Sequence, residues 1–76
     1  MIVRLLLWNL ADSKTTLEEL RPRLAASPNR TWISDATTER FGAIETWEGE
    51  PGEFPREILD LIGKDPQIAE EFEVEA

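Results

Sequence analysis

The chain has 76 residues, no cysteine, no histidine and a formal net charge of −8. A domain this short buries only about 60% of the surface it exposes when unfolded, and such domains lean on disulfides, metals or partner subunits. Lack of cysteine excludes disulfides and thiol chemistry, and lack of histidine removes the commonest general base and transition-metal ligand. Self-association of a single domain, residues 1–76, is the device left.

The charge is uneven. Residues 1–44 carry six basic and five acidic groups, whereas residues 45–76 carry two basic and eleven acidic ones. That field repels phosphate backbones and anionic membrane surfaces, so neither nucleic acid nor membrane is an expected partner. The acidic run reads first as a solvated face that keeps the chain soluble, with an acidic docking site as the alternative.

Ile2 to Asn9 is nearly all apolar and fits a strand covered on both faces. A basic stretch ahead of it is missing, Arg4 interrupts it, and it falls far short of the ~20 apolar residues of a membrane span. It therefore reads as a strand of a cytoplasmic protein rather than as a signal peptide. Alternation divides it into Val3, Leu5 and Leu7 on one side and Ile2, Arg4, Leu6 and Trp8 on the other.

Thr16-Leu17-Glu18-Glu19 matches a capping box that opens a helix. Leu17, Leu20 and Leu24 give it one apolar stripe, and Pro22 should kink or loosen it. Ser27-Pro28-Asn29 ends it. Thr31–Asp35 and Phe41–Trp47 then form a hairpin around the turn Ala36–Arg40, with Gly42 marking a bulge or a close backbone approach. Residues Glu48 to Glu53 are turn-rich. Pro55 opens a second helix whose apolar face is Ile58, Leu61 and Ile62, and Gly63 caps its end. Gln67 to Glu75 closes the chain as an acidic edge strand.

The order strand, helix, strand, strand, helix, strand is the βαββαβ unit of ferredoxin-like α+β domains. Right-handed crossovers place both helices on one face of a four-stranded antiparallel sheet, with the first and third strands in the middle. The expected covered face carries Val3, Leu5, Leu7, Ile33 and Ile44. The expected open face carries Ile2, Arg4, Leu6, Trp8, Trp32, Ser34, Phe41, Ala43, Glu45 and Trp47, an apolar patch that should meet a partner.

The hairpin from Trp32 through the polar turn to Phe41-Gly42-Ala43-Ile44-Glu45-Thr46-Trp47 resembles the tryptophan, polar turn, Gly-Gly-Ile-Tyr-Leu-Trp/Phe hairpin of small dimeric α+β barrel proteins. It is most similar to the ydhR-type mono-oxygenase group. Gly42 and Ile44 match, Trp47 falls on an aromatic position, Ala43 stands for the second glycine and Glu45 for the tyrosine. Leu20-Arg21-Pro22 is similar to that group's Leu-Lys-Pro, and Phe72-Glu73-Val74 to its Phe-Asp-Val. The resemblance implies a homodimer whose sheets face each other in a barrel, with a pocket for a small aromatic or quinol-type ligand. Mono-oxygenase-like chemistry without a cofactor is the activity it implies. Fold analogy alone warrants no reaction.

The pocket candidates are Arg4, Trp8, Trp32, Ser34, Asp35, Glu45 and Trp47. Glu45, a carboxyl among aromatic rings, is the candidate base, and Arg4 suits a ligand carbonyl or carboxylate. Arg4 and Glu45 on adjacent strands also suit a plain cross-strand ion pair, and structural ion pairs outnumber catalytic ones. No metal cluster, phosphate loop or nucleotide fingerprint is present, so no cofactor or metal is expected. The alternative function is a non-catalytic dimeric domain for small-ligand binding or protein interaction.

Overall fold

An apolar run without a polar side needs neighbours on both edges, and Ile2–Asn9 has them. The computed structural model, which describes residues 1–76, places this strand, β1, inside an antiparallel sheet of order β2-β3-β1-β4. The other strands are β2 (Arg30–Asp35), β3 (Arg40–Trp47) and β4 (Ile68–Glu73). Two helices, α1 (Leu17–Leu20) and α2 (Arg56–Ile62), complete an α+β fold compatible with a ferredoxin-like arrangement.

Local chemistry sets the element ends. The Thr16 hydroxyl accepts from the Glu19 amide at 3.3 Å, which caps α1. The helix then stops after one turn, because Pro22 has no N–H to continue the ladder, and the chain tightens into a 3-10 turn over Arg21–Arg23. Gly63 closes α2 in the left-handed region, φ 74°. In the hairpin turn Glu39 takes the positive φ of 54°. The Asp35 carboxyl anchors that turn by accepting from the Thr37 amide at 3.1 Å. The Thr38 side chain first, then Arg40 and the turn amides, hold its pKa below the ordinary 3.8. Strand β4 is shorter than Gln67 to Glu75, although Gln67 and Val74 still donate to the Leu7 and Met1 carbonyls beyond its two ends.

Gly42 marks a close backbone approach. It faces Leu7 on β1 and Ile33 on β2, and a Cβ there would overlap the Leu6 carbonyl oxygen and stand 2.9 Å from Leu7 Cδ2. Gly42→Ala is therefore expected to part the central strands and to cost at least about 1–3 kcal/mol, the range for overpacking. A lowered urea midpoint in equilibrium unfolding is the readout, and an unchanged midpoint would refute the close approach.

Which face the helices cover is the main correction to the sequence reading. The core unites Leu6, Trp8, Leu10 and Phe41 of the sheet region with Leu20, Ile58 and Ile62 of the helices. The covered face is thus that of Arg4, Leu6, Trp8, Trp32, Ser34, Phe41, Ala43, Glu45 and Trp47, expected to be open. The face of Val3, Leu5, Leu7, Ile33 and Ile44, expected to be covered, is the open one. The reason is volume. Helices of four and seven residues supply few core side chains, so the layer beneath them fills only if the sheet contributes its bulkiest ones. Trp8 and Phe41, each 1% exposed, cannot contact a partner subunit.

Candidate functional site

Register brings three charged residues into one row on the covered face. Glu45 on β3 pairs with Arg4 on β1 and with Arg30 on β2, and paired residues project to the same side of a sheet. Glu45 Oε1 accepts from Arg4 Nε at 2.6 Å and Oε2 from Arg30 Nε at 2.8 Å. The Glu45 side chain is 0% exposed, and those of Arg4 and Arg30 are 14% and 11% exposed. Removing such groups from water is costly, and mutual pairing with good geometry is what offsets it.

Aromatic rings enclose the row. The Arg4 guanidinium lies 5.6 Å from the Trp47 ring centre. That of Arg30 lies 5.4 Å from Trp32 and 5.6 Å from Phe54. These cation–π contacts gain strength where water is excluded. Beyond them Trp8, Phe41, Trp32 and Phe54 form a closed cycle, with successive centres 6.2, 5.7, 5.5 and 5.3 Å apart. The Trp8 indole N–H donates to the Lys64 carbonyl at 2.9 Å, which ties β1 to the segment after α2. The Trp32 indole donates to the Ala25 carbonyl at 3.0 Å, tying β2 to the segment after α1.

Of the seven pocket candidates, the structure brings together Arg4, Trp32, Glu45 and Trp47, with Trp8 in the adjoining ring cycle. Ser34 is exposed, opposite Phe41 at the far end of β2. Asp35 ends β2 at the hairpin turn, paired with Arg40. Two participants escaped the sequence reading. Arg30 stands two residues before Trp32, so simple alternation puts it on the tryptophan face. Phe54 carries no periodic signal, because it lies in the irregular segment before α2.

No protein-family model, curated protein or solved structure matches this chain. Its chemistry is therefore read from its own geometry. A general base must reach the proton it removes. Both oxygens of Glu45 are engaged by guanidinium groups, and the side chain has no exposed surface, so its arrangement is that of a structural counter-ion. A cavity of about 470 Å³ lies between the end of β1 and α1 and is lined by residues such as Leu10, Thr15, Leu17 and Arg21. It contains none of the seven candidates. No group of three or more acidic side chains is placed to hold a metal. No helix is long and apolar enough to cross a membrane.

Proposed function

We propose that this chain is a non-catalytic interaction domain that pairs with a second copy of itself through its open sheet face. The observation that carries this reading is the composition of that face. Ile33, Leu7 and Ile68 form one row across the strands, Ile44 and Leu5 the next, and Val3 and Phe72 a third. Ile44, Ile68 and Phe72 are 41%, 38% and 52% exposed. Soluble monomers seldom leave so continuous an apolar surface open.

A second copy is the occupant whose chemistry fits. The three rows carry one charge, Glu70 opposite Leu5 on the edge strand, so the surface is complementary to itself about a two-fold axis. Strands about 4.8 Å apart and residues about 3.3 Å long make the face about 19 by 20 Å, and two such faces with side-chain relief remove on the order of 1,000 Å². That reaches the lower bound of specific interfaces. The resulting face-to-face sheets are the dimeric α+β barrel that the hairpin resembles, which supports the same reading. Engagement of Glu45 by two arginines favours it over mono-oxygenase-like chemistry.

Sedimentation tests the proposal. The expected wild-type mass at micromolar concentration is twice the 8.7 kDa of the chain, and salt should strengthen association by screening the repulsion between two chains of charge −8. Ile44→Glu, on the exposed face, is expected to give a folded monomer. A wild-type chain that remains at 8.7 kDa overturns the proposal.

A further inference from the structure

Two arginines share one carboxylate in the buried row, and the pairing is incomplete. Arg4 Nη2 is buried without any acceptor, and so is Trp47 Nε1. Both are donors, so neither can satisfy the other, although the guanidinium lies over the indole ring at 5.6 Å. A buried N–H left unpaired costs the desolvation of that group, and unpaired charged donors cost more. Every other indole N–H in the chain has a carbonyl acceptor.

The surroundings show how an acceptor would arrive. Ile2 lies between Trp47 on β3 and Glu73 on β4, and Arg4 lies opposite Glu71, all on one face of the sheet. A groove of about 430 Å³ runs over Ile2 and is walled by the loop after β3 and by β4, with Glu48, Glu50, Glu71 and Glu73 around it. Two of its lining residues are the cross-strand neighbours of the orphan donors, Ile2 of Trp47 and Glu71 of Arg4. The loop itself rests on the indole: a Cβ at Gly52 would stand 3.1 and 3.2 Å from Trp47 ring atoms. Gly49 and Gly52 flank Pro51, and nothing lies within 4 Å of a Cβ placed at Gly49. The segment that rests on the six-membered ring of Trp47 is thus short, with a glycine on each side of Pro51.

We infer that Arg4 Nη2 and Trp47 Nε1 form a two-donor site for the carbonyl oxygen of a small, flat, neutral ligand, entered from this groove as the residue 48–53 loop lifts. The donors require an acceptor, and the guanidinium supplies a charge-assisted hydrogen bond to it. The indole offers a planar wall. Four glutamates at the entrance repel a free anion, which selects a lactam, amide or similar neutral carbonyl over a carboxylate. The site lies on the helix side of the sheet, so it stands or falls independently of pairing through the open face.

The experiment is a proton–nitrogen correlation titration of the wild-type chain, reading its three indole N–H signals. The probes are 2-pyridone, a flat neutral lactam, and benzoate, its anionic counterpart in shape. The expected result is a saturable downfield shift of the Trp47 signal with 2-pyridone, little change at Trp8 and Trp32, and no saturable shift with benzoate. Trp47→Phe keeps the ring and removes the donor; read by the backbone amides of residues 48–53, it should bind 2-pyridone about fivefold more weakly or worse. Arg4→Lys, which keeps the charge but not the fork, should also weaken binding. Absence of a Trp47 shift with 2-pyridone overturns the inference, as does equal binding by Trp47→Phe or a stronger response to benzoate. A Trp47 signal that moves in unliganded Glu71→Gln also overturns it, because Glu71 would then be the acceptor.

Discussion

Glu45→Ala is expected to lower the stability of the folded chain by about 3–5 kcal/mol, the cost of breaking a buried ion pair from one side. A chain of this length has a total stability on the order of 4–11 kcal/mol at typical values per residue, so this one change removes a large share of it. Glu45 is the only acidic partner within salt-bridge distance of either Arg4 or Arg30. Its loss leaves two guanidinium groups facing each other across β3 with little access to water. Urea unfolding followed by circular dichroism measures the effect. The triple replacement Arg4→Met, Glu45→Leu, Arg30→Met is expected to recover most of the loss, because apolar groups of similar volume need no counter-charge. If the triple variant is as unstable as Glu45→Ala, the hydrogen-bonded charges of the row and not its volume hold the three strands together. A Glu45→Ala chain with the wild-type urea midpoint would show that the two arginines find water and that the buried row is not a structural centre of the fold.

Much of the local structure was legible because it follows from single residues. Pro22 forbids helix continuation, Gly63 suits a left-handed cap, Thr16 offers a capping hydroxyl, and Gly42 permits an approach no other residue allows. Strand alternation likewise sorted β1 and β3 into two correct sets. It could not say which set lies under the helices, since both sets are apolar. Leu5 and Leu7 are as good core residues as Leu6 and Trp8. The choice turned on the volume beneath two short helices, and the shortness of α1 came from Pro22 acting more severely than a kink. Charge pointed the wrong way for a similar reason. Arg4 and Glu45 mark an exposed or ligand-lined surface when seen as a pair. Only the third member, Arg30, together with the rings of Trp32, Trp47 and Phe54, makes their burial tolerable. The Arg4–Glu45 contact itself was legible from strand order, because adjacent strands with opposite charges at opposed positions have little else to pair with.

Trp8→Ala is expected to be as damaging as loss of Glu45, and it separates the observed packing from the one alternation allowed. Trp8 is 1% exposed, touches Phe41 and Phe54 in the ring cycle, and holds the Lys64 carbonyl. Truncation removes the transfer energy of an indole and leaves a cavity that rings on two sides cannot easily fill, for a cost of about 3–5 kcal/mol. Trp8→Phe keeps most of the ring contact and loses the hydrogen bond, so its cost should be smaller. The decisive measurement is denaturation at two protein concentrations that bracket the association equilibrium. Because the side chain lies inside the protomer, Trp8→Ala should lower stability by the same amount at both, and its folded fraction should associate as the wild type does. A tryptophan on an open, pairing face would behave in the opposite manner: the variant would become monomeric and keep the stability of an isolated protomer. That second outcome would place Trp8 outside the core and reverse the assignment of the two sheet faces.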